Sequence, residues 1–119
     1  MSEAGYKKLV VWQKSDELVK FIYQTTRNFP KDETYGLTSQ LRRSALSIPT
    51  NIVEGYARKS KNELKQFLNI AWGSFVETEY LIDFALHQAY FRESDHKILT
   101  SLLKEVGSLL WSFTKSLRP

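Results

Sequence analysis

The chain has 119 residues and a mass of 13.9 kDa, with 17 Lys and Arg against 13 Asp and Glu, a formal charge of +4. That length fits one domain, which buries roughly two-thirds of its unfolded surface and needs no covalent staple. The absence of cysteine excludes disulfides, zinc–thiolate centres and cysteine nucleophiles, and 42% apolar with 25% charged residues is the balance of a globular chain, not a disordered one.

Residues 1–8 are expected as a loose tail on a single domain spanning 1–119. Met1-Ser2-Glu3-Ala4-Gly5 has neither the basic start nor the apolar middle of a secretory leader. No apolar run approaches the roughly 20 residues of a membrane span, so the expectation is a cytoplasmic protein. From about Trp12 to Arg27, the residues Trp12, Leu18, Val19, Ile22, Tyr23 and Thr26 recur at three- and four-residue steps and predict a first helix. Pro30 disfavours helical geometry at Phe29 and ends it in a loop.

A second helix is predicted from Leu37 to about Ala57, where Leu37, Leu41, Ala45, Ile48, Ile52 and Tyr56 share a face. Pro49 lies inside it, and because the stripe continues in phase to Ile52 the expectation is a kink, not a break. Ser60-Lys61-Asn62-Glu63 has the form of a capping box and opens a third helix, roughly Asn62 to Ala89. Ser94 is the expected cap of the fourth, about Asp95 to Ser116, where Leu99, Leu102, Leu103, Val106, Leu110, Phe113 and Leu117 repeat almost as heptads. No strand-like alternation occurs. The expected fold is all-α: an up-and-down antiparallel four-helix bundle with its second helix kinked near Pro49.

Two of these helices carry more apolar surface than one bundle buries. Leu46 and Val53 point away from the core face of the second helix. On the third, Trp72, Val76 and Tyr80 step by four along one flank, and Ile70, Leu81 and Phe84 lie on the other. Such lines of residues predict a homo-oligomer. A polar stripe, Gln40, Arg43, Ser47, Asn51 and Glu54, falls within an arc of roughly 80° on the second helix. It reads first as a hydrogen-bonded network at a subunit seam, second as a solvated face, third as a groove for a ligand or RNA. The expected oligomer interface is therefore Gln40, Leu46, Ser47, Asn51, Val53, Glu54, Trp72, Val76 and Tyr80.

The net charge is localised. Between Gly36 and Lys65, six cations (Arg42, Arg43, Arg58, Lys59, Lys61, Lys65) face Glu54 and Glu63, a surplus equal to the charge of the whole chain. Between residues 77 and 95, Glu77, Glu79, Asp83, Glu93 and Asp95 face only Arg92. A basic block meets nucleic-acid phosphate; equally, the two blocks suit the pairing of copies, or stand as solvated faces. Arg42, Arg43, Arg58, Lys59 and Lys61 are the candidate nucleic-acid contacts, with Tyr56 placed to stack on a base. Catalytic patterns fail: no phosphate loop, nucleophile elbow or metalloprotease motif occurs, and Glu77 and Glu79 diverge around the helix. His87 and His96 near Asp83, Glu93 and Asp95 offer an opportunistic metal site at best, turn histidines being the simpler account. No enzyme activity, cofactor, metal or small-molecule substrate is expected.

The run Gln40-Leu41-Arg42-Arg43-Ser44-Ala45-Leu46-Ser47-Ile48-Pro49-Thr50-Asn51-Ile52-Val53-Glu54-Gly55 resembles the signature of the 23S rRNA intervening-sequence protein family, also called four-helix bundle proteins. Val11-Trp12-Gln13-Lys14, Phe29-Pro30, Tyr35-Gly36-Leu37-Thr38-Ser39 and Ile70-Ala71-Trp72-Gly73-Ser74-Phe75-Val76-Glu77 extend the resemblance over most of the chain. Ser44 and Val53 stand where the family more often has alanine, and Trp72 is bulkier than usual. The resemblance implies a left-handed antiparallel bundle, ring assemblies that are typically pentamers, and genes placed inside insertions in large-subunit rRNA genes. It implies no catalytic activity. RNA, or a partner associated with RNA, is the leading expected ligand, and a scaffold that only self-assembles is the alternative.

Overall fold

The computed structural model describes residues 5–117, which are 84% helical and contain no strand. Four helices carry the fold: α1 (Val10–Thr26), α2 (Leu37–Tyr56), α3 (Lys61–His87) and α4 (Glu93–Ser116). α1 packs on α2 and α4, α3 packs on the same two, and the diagonal pairs do not meet. The helices therefore stand at the corners of a square. The connections at 57–60 and 88–92 are too short to cross the bundle, so consecutive helices run antiparallel. The 27 residues of α3 span about 40 Å and set the 44 Å long axis of the molecule.

On α1, Leu18, Val19, Ile22 and Thr26 are buried as their spacing predicts. The buried hydroxyls of Ser15 and Thr26 donate to the carbonyls of Val11 and Ile22, each at 2.7 Å, so neither enters the core unpaired. α1 begins two residues before Trp12. Of the expected loose tail, residues 1–4 lie outside the described residues, whereas Gly5–Lys8 form a 3-10 turn whose Tyr6 ring packs edge-on against Trp12 at 5.0 Å.

Leu37, Leu41, Ala45, Ile48 and Ile52 of α2 are fully or almost fully buried. Tyr56 departs from that face: it is the last helical residue, and its half-exposed ring lies at the end of the bundle beside Gly5. α2 runs unbroken through the buried Pro49, which deprives one carbonyl of its partner. The next two carbonyls, of Leu46 and Ser47, are engaged at 2.7 Å by the side chains of Thr50 and Asn51.

At the start of α3, Ser60 Oγ accepts from the Glu63 N–H (3.1 Å), and the Ser60 hydroxyl donates to the Glu63 carboxylate (3.2 Å). The carboxylate thus takes the hydroxyl where a full capping box would take the Ser60 amide. α3 ends in a two-bond Schellman turn, Tyr90 N–H to Ala85 (3.0 Å) and Ala89 N–H to Leu86 (2.9 Å). The left-handed position of that turn is held by Ala89, φ 60°. α4 begins at Glu93 because Arg92 is already extended, so Ser94, the expected cap, is its second residue. Glu93 and Asp95 in the first turn suit the positive end of the helix dipole.

One end of the bundle is tied by Glu33. Its carboxylate accepts from the Leu37 amide (3.2 Å) and from the Tyr90 hydroxyl (3.0 Å), joining the α1–α2 and α3–α4 loops. The bond to the carboxylate raises the phenol pKa above its ordinary value. Phe29 packs between Tyr90 and Phe91 beside this link.

Two glycine-sized clearances set helix separation. A Cβ on Gly55 would stand 2.8 Å from Phe67 Cβ and 2.9 Å from Leu64 Cδ1, and one on Gly107 would stand 2.8 Å from the tip of the Phe75 ring. Gly55→Ala is expected to lower stability by about 1–2 kcal/mol through overpacking at a spot too close to the α3 backbone to relax, read as a lower urea midpoint at unchanged slope. Ala89→Gly, which relieves the left-handed penalty, is expected to raise that midpoint by about 1 kcal/mol equivalent.

Candidate functional site

The seam between α2 and α3 is built from small polar side chains. Buried Ser44 and Thr78 meet at 2.9 Å, and Thr78 also donates to the Ser74 carbonyl at 2.8 Å. Further out, Ser47 Oγ accepts from Ser74 (2.8 Å) and from the Asn51 amide (2.9 Å). Ser47 and Asn51 were expected at a seam between subunits. Within the subunit, Ser47 bridges α2 to Ser74 of α3, while Asn51 bonds only to Ser47, one turn away on α2. Gln40, Arg43 and Glu54 of the same stripe remain exposed.

Above this network the two helices part into a groove of about 400 Å³ lined by Tyr35, Ser39, Gln40, Arg43, Ser74 and Glu77, with Ser44 and Ser47 in its floor. Tyr35 is 97% exposed at its head. No ion pair joins Arg43 to Glu77 among the described residues. Of these lining residues, Tyr35, Ser39, Ser74 and Glu77 were not singled out as site residues from the sequence. Ser74 and Glu77 fall in the Ser74-Phe75-Val76-Glu77 motif, but nothing there says that they face α2.

The basic segment divides. Arg42 and Arg43 leave α2 about 100° apart. Arg42 turns into α1: its Nε donates to Thr26 Oγ1 at 2.8 Å, its Nη2 to the Tyr23 carbonyl at 3.3 Å, and its guanidinium lies 4.7 Å from the Tyr23 ring centroid. Arg43 faces the groove. Arg58, Lys59 and Lys61 are exposed at the α2–α3 turn, where Arg58 rests over Phe67 at 4.8 Å. α2 runs on for thirteen residues beyond Arg43, about 20 Å, before the turn that holds Arg58. The five basic candidates therefore occupy three places: a structural seam, a groove and a turn.

The apolar candidates also separate. Leu46 is exposed beside Tyr23 and Arg42 on the α1 side of α2, and Val53, seven residues on, points the same way, half-buried. Trp72 lies against Phe75 and against Trp111 of α4, at 5.3 and 5.8 Å, with Val76 exposed one turn away. Tyr80 leans the other way, bordering a smaller recess with Leu37, Gln40 and Phe84. Ile70 and Phe84 are exposed as expected of a surplus flank, but Leu81, assigned to it, is buried in the subunit's own core because it faces α2.

Asp83 and the two histidines lie at one end of the α3–α4 side, with His87 Nδ1 2.9 Å from the Asp83 carbonyl. Among the described residues no three His, Asp or Glu side chains stand close enough to hold a metal ion, and no helix is long and apolar enough to cross a membrane. Lys14, bonded to Glu17 and Glu105 at 3.3 Å each, has a raised pKa from those two carboxylates and ties α1 to α4.

The family model described as 23S rRNA-intervening sequence protein matches residues 7–112. Among solved structures, the chain is similar to a protein with unknown function from the S23 ribosomal protein family of Bacteroides thetaiotaomicron. The two are 28% identical with a TM-score of 0.79, over 89% of this chain and 99% of the other. No curated protein matches the chain.

The two adjacent arginines should differ sharply on substitution. Arg42→Ala removes two hydrogen bonds and a ring contact from a half-buried seam and is expected to cost about 1–2 kcal/mol of unfolding free energy. Arg43→Ala is expected to change it by less than about 0.5 kcal/mol. Parallel urea titrations of the two variants check both.

Proposed function

Because the chain belongs to the 23S rRNA-intervening sequence protein family, we propose that it is a non-enzymatic, ring-forming bundle that binds RNA, or a partner associated with RNA, through its basic surface. The observation that carries this reading is the α2–α3 turn. Arg58, Lys59 and Lys61 stand exposed there at the amino-terminal end of a 27-residue helix, and none has an ion-pair partner among the described residues. The helix dipole adds positive potential at the same point. The family's description, which refers to 23S rRNA, supports the choice of RNA.

Ring formation is supported by where the apolar surplus lies. Leu46 and Val53 sit on the α1–α2 side and Trp72, Val76 and Trp111 on the α3–α4 side, opposite faces of a square bundle. Two different patches on opposite faces make a heterologous contact, which closes into a ring when the rotation permits. Five copies is the count implied by the family resemblance. Repetition then turns a weak basic turn into an avid surface.

A second reading is a scaffold in which the basic turn of one copy meets the acidic stretch of the next. Glu77, Glu79, Asp83 and Glu93 favour it, all exposed and none paired with a lysine or arginine among the described residues. One experiment separates the two. RNA affinity is measured against salt for the wild type and for Arg58→Glu, Lys59→Glu and Lys61→Glu combined, with native mass spectrometry of each. RNA binding predicts weaker affinity and a shallower dependence of log K on log salt, by about 0.7–0.9 per lost phosphate contact. Unchanged RNA affinity with a broken oligomer selects the scaffold. A wild type that stays monomeric at micromolar concentration refutes the ring.

A further inference from the structure

We propose that the groove between α2 and α3 is a ribonucleotide subsite that holds one unit of a single-stranded RNA, with Arg43 on its phosphate, Tyr35 on its base and Glu77 on its ribose. The inference rests on the RNA reading above and relocates recognition from the basic turn to a shaped site.

The shape comes first. At about 400 Å³, the groove falls at the lower end of the range for small-ligand pockets. Its walls are polar: one cation, one carboxylate, one amide and hydroxyls from both helices. Arg43 and Glu77 share it without an ion pair among the described residues, so each keeps its charge for a ligand. Arg43 offers a planar fork of donors suited to phosphate oxygens. Glu77 is acceptor-only; base N–H groups and ribose hydroxyls both donate to it without bringing charge, and with Tyr35 and Gln40 given to the base, Glu77 falls to the ribose, whose 2′-OH separates RNA from DNA. Gln40 carries both a donor and an acceptor for a base edge.

The head of the groove reinforces the anion end. The Leu37 amide is capped by Glu33 and the Gln40 amide by the Gly36 carbonyl, leaving the N–H groups of Thr38 and Ser39 with no protein acceptor among the described residues. The Thr38 side chain faces the neighbouring recess on the α1 side, with Tyr23, Arg42 and Leu46, so Ser39 is the residue of this turn that lines the groove. The rim is aromatic. Tyr35 is 97% exposed, Tyr80 62% and Phe84 41%, and Gln40 lines both the groove and the recess that holds Tyr80 and Phe84. An exposed ring beside an arginine, as Tyr35 is beside Arg43, is a surface on which an unpaired base stacks, and a duplex, whose bases face inward, does not use it.

The test is fluorescence titration of the full chain with oligouridylate, its deoxy counterpart, duplex RNA and uridine monophosphate, with melting curves as a folding control. Tyr35 and Arg43 are exposed, so Tyr35→Ala and Arg43→Ala are expected to fold as the wild type does. Each should weaken oligouridylate binding about tenfold while duplex binding changes little. Glu77→Gln should narrow the gap between the ribo and deoxy strands, a readout that a merely structural role would not move. If the groove variants bind oligouridylate like the wild type and only changes at Arg58, Lys59 and Lys61 weaken it, the subsite is wrong and the RNA reading stands. If the wild type binds no RNA, both fall. Uridine monophosphate bound as tightly as the oligomer would mean that the groove takes a free nucleotide, and would overturn the assignment to a strand.

Discussion

The close approach of α3 to α2 governs most of what this molecule presents. At Gly55 the helices meet with no room for a methyl group, Leu64 and Phe67 occupying the place where a Cβ would point. From there toward the start of α2 the seam is kept narrow by serine and threonine, whose hydroxyls must pair once they leave water. They do so across the seam, Ser44 with Thr78 and Ser47 with Ser74. A wider seam would have needed larger apolar side chains and would have removed both the polar floor and the groove above it. On the other side of α3 the spacing is set by Phe75, whose ring tip fills the notch at Gly107. That leaves Trp72 and Trp111 leaning together at the surface.

Two further links hold the bundle in register. Arg42 joins α2 to α1 through Thr26 and Tyr23, using a cation to satisfy a hydroxyl oxygen and a carbonyl. Glu33 joins the two loops at the opposite end of the polar seam from Gly55, capping the first amide of α2 and holding the Tyr90 hydroxyl. Both are charge-assisted bonds with partial burial, stronger than neutral ones and more damaging when one partner is removed. Arg42 therefore serves structure, although by composition it belongs to the basic block.

The faces of the bundle then differ in kind. The α1–α2 and α3–α4 sides expose apolar side chains, the α2–α3 face exposes a polar groove with an aromatic rim, and the α2–α3 turn exposes three cations. The proposed ring and the proposed RNA contact therefore draw on different kinds of surface, apolar for one and polar or basic for the other, which meet at Leu46 beside Tyr35 and Arg43.

The four helices were legible in the sequence because a bundle writes its core as a 3.6-residue period: Leu41, Ala45, Ile48 and Ile52, or Leu99, Leu103, Val106 and Leu110, are buried where their spacing puts them. Turn chemistry was legible at Ser60 and less so at Ser94, because the backbone of Arg92 had already turned extended and started α4 earlier. The signature from Gln40 to Gly55 marked α2 as distinctive but could not say which neighbour each polar side chain meets. Arg42 and Arg43 look equivalent in the chain, and one residue of helical rotation sends the first into α1 and the second into a groove. Ser47 and Asn51 read first as a seam between subunits, and nothing in their spacing said that Ser47 would also meet Ser74 of α3 within one. The sequence by itself determined the elements, the core and the charge segregation, since these follow from local periodicity and composition. Only the tertiary structure decided which charges stay free and which polar groups pair, because both depend on how closely α3 approaches α2, a distance set by contacts such as Gly55 with Phe67 and Leu64 that lie between helices rather than along one.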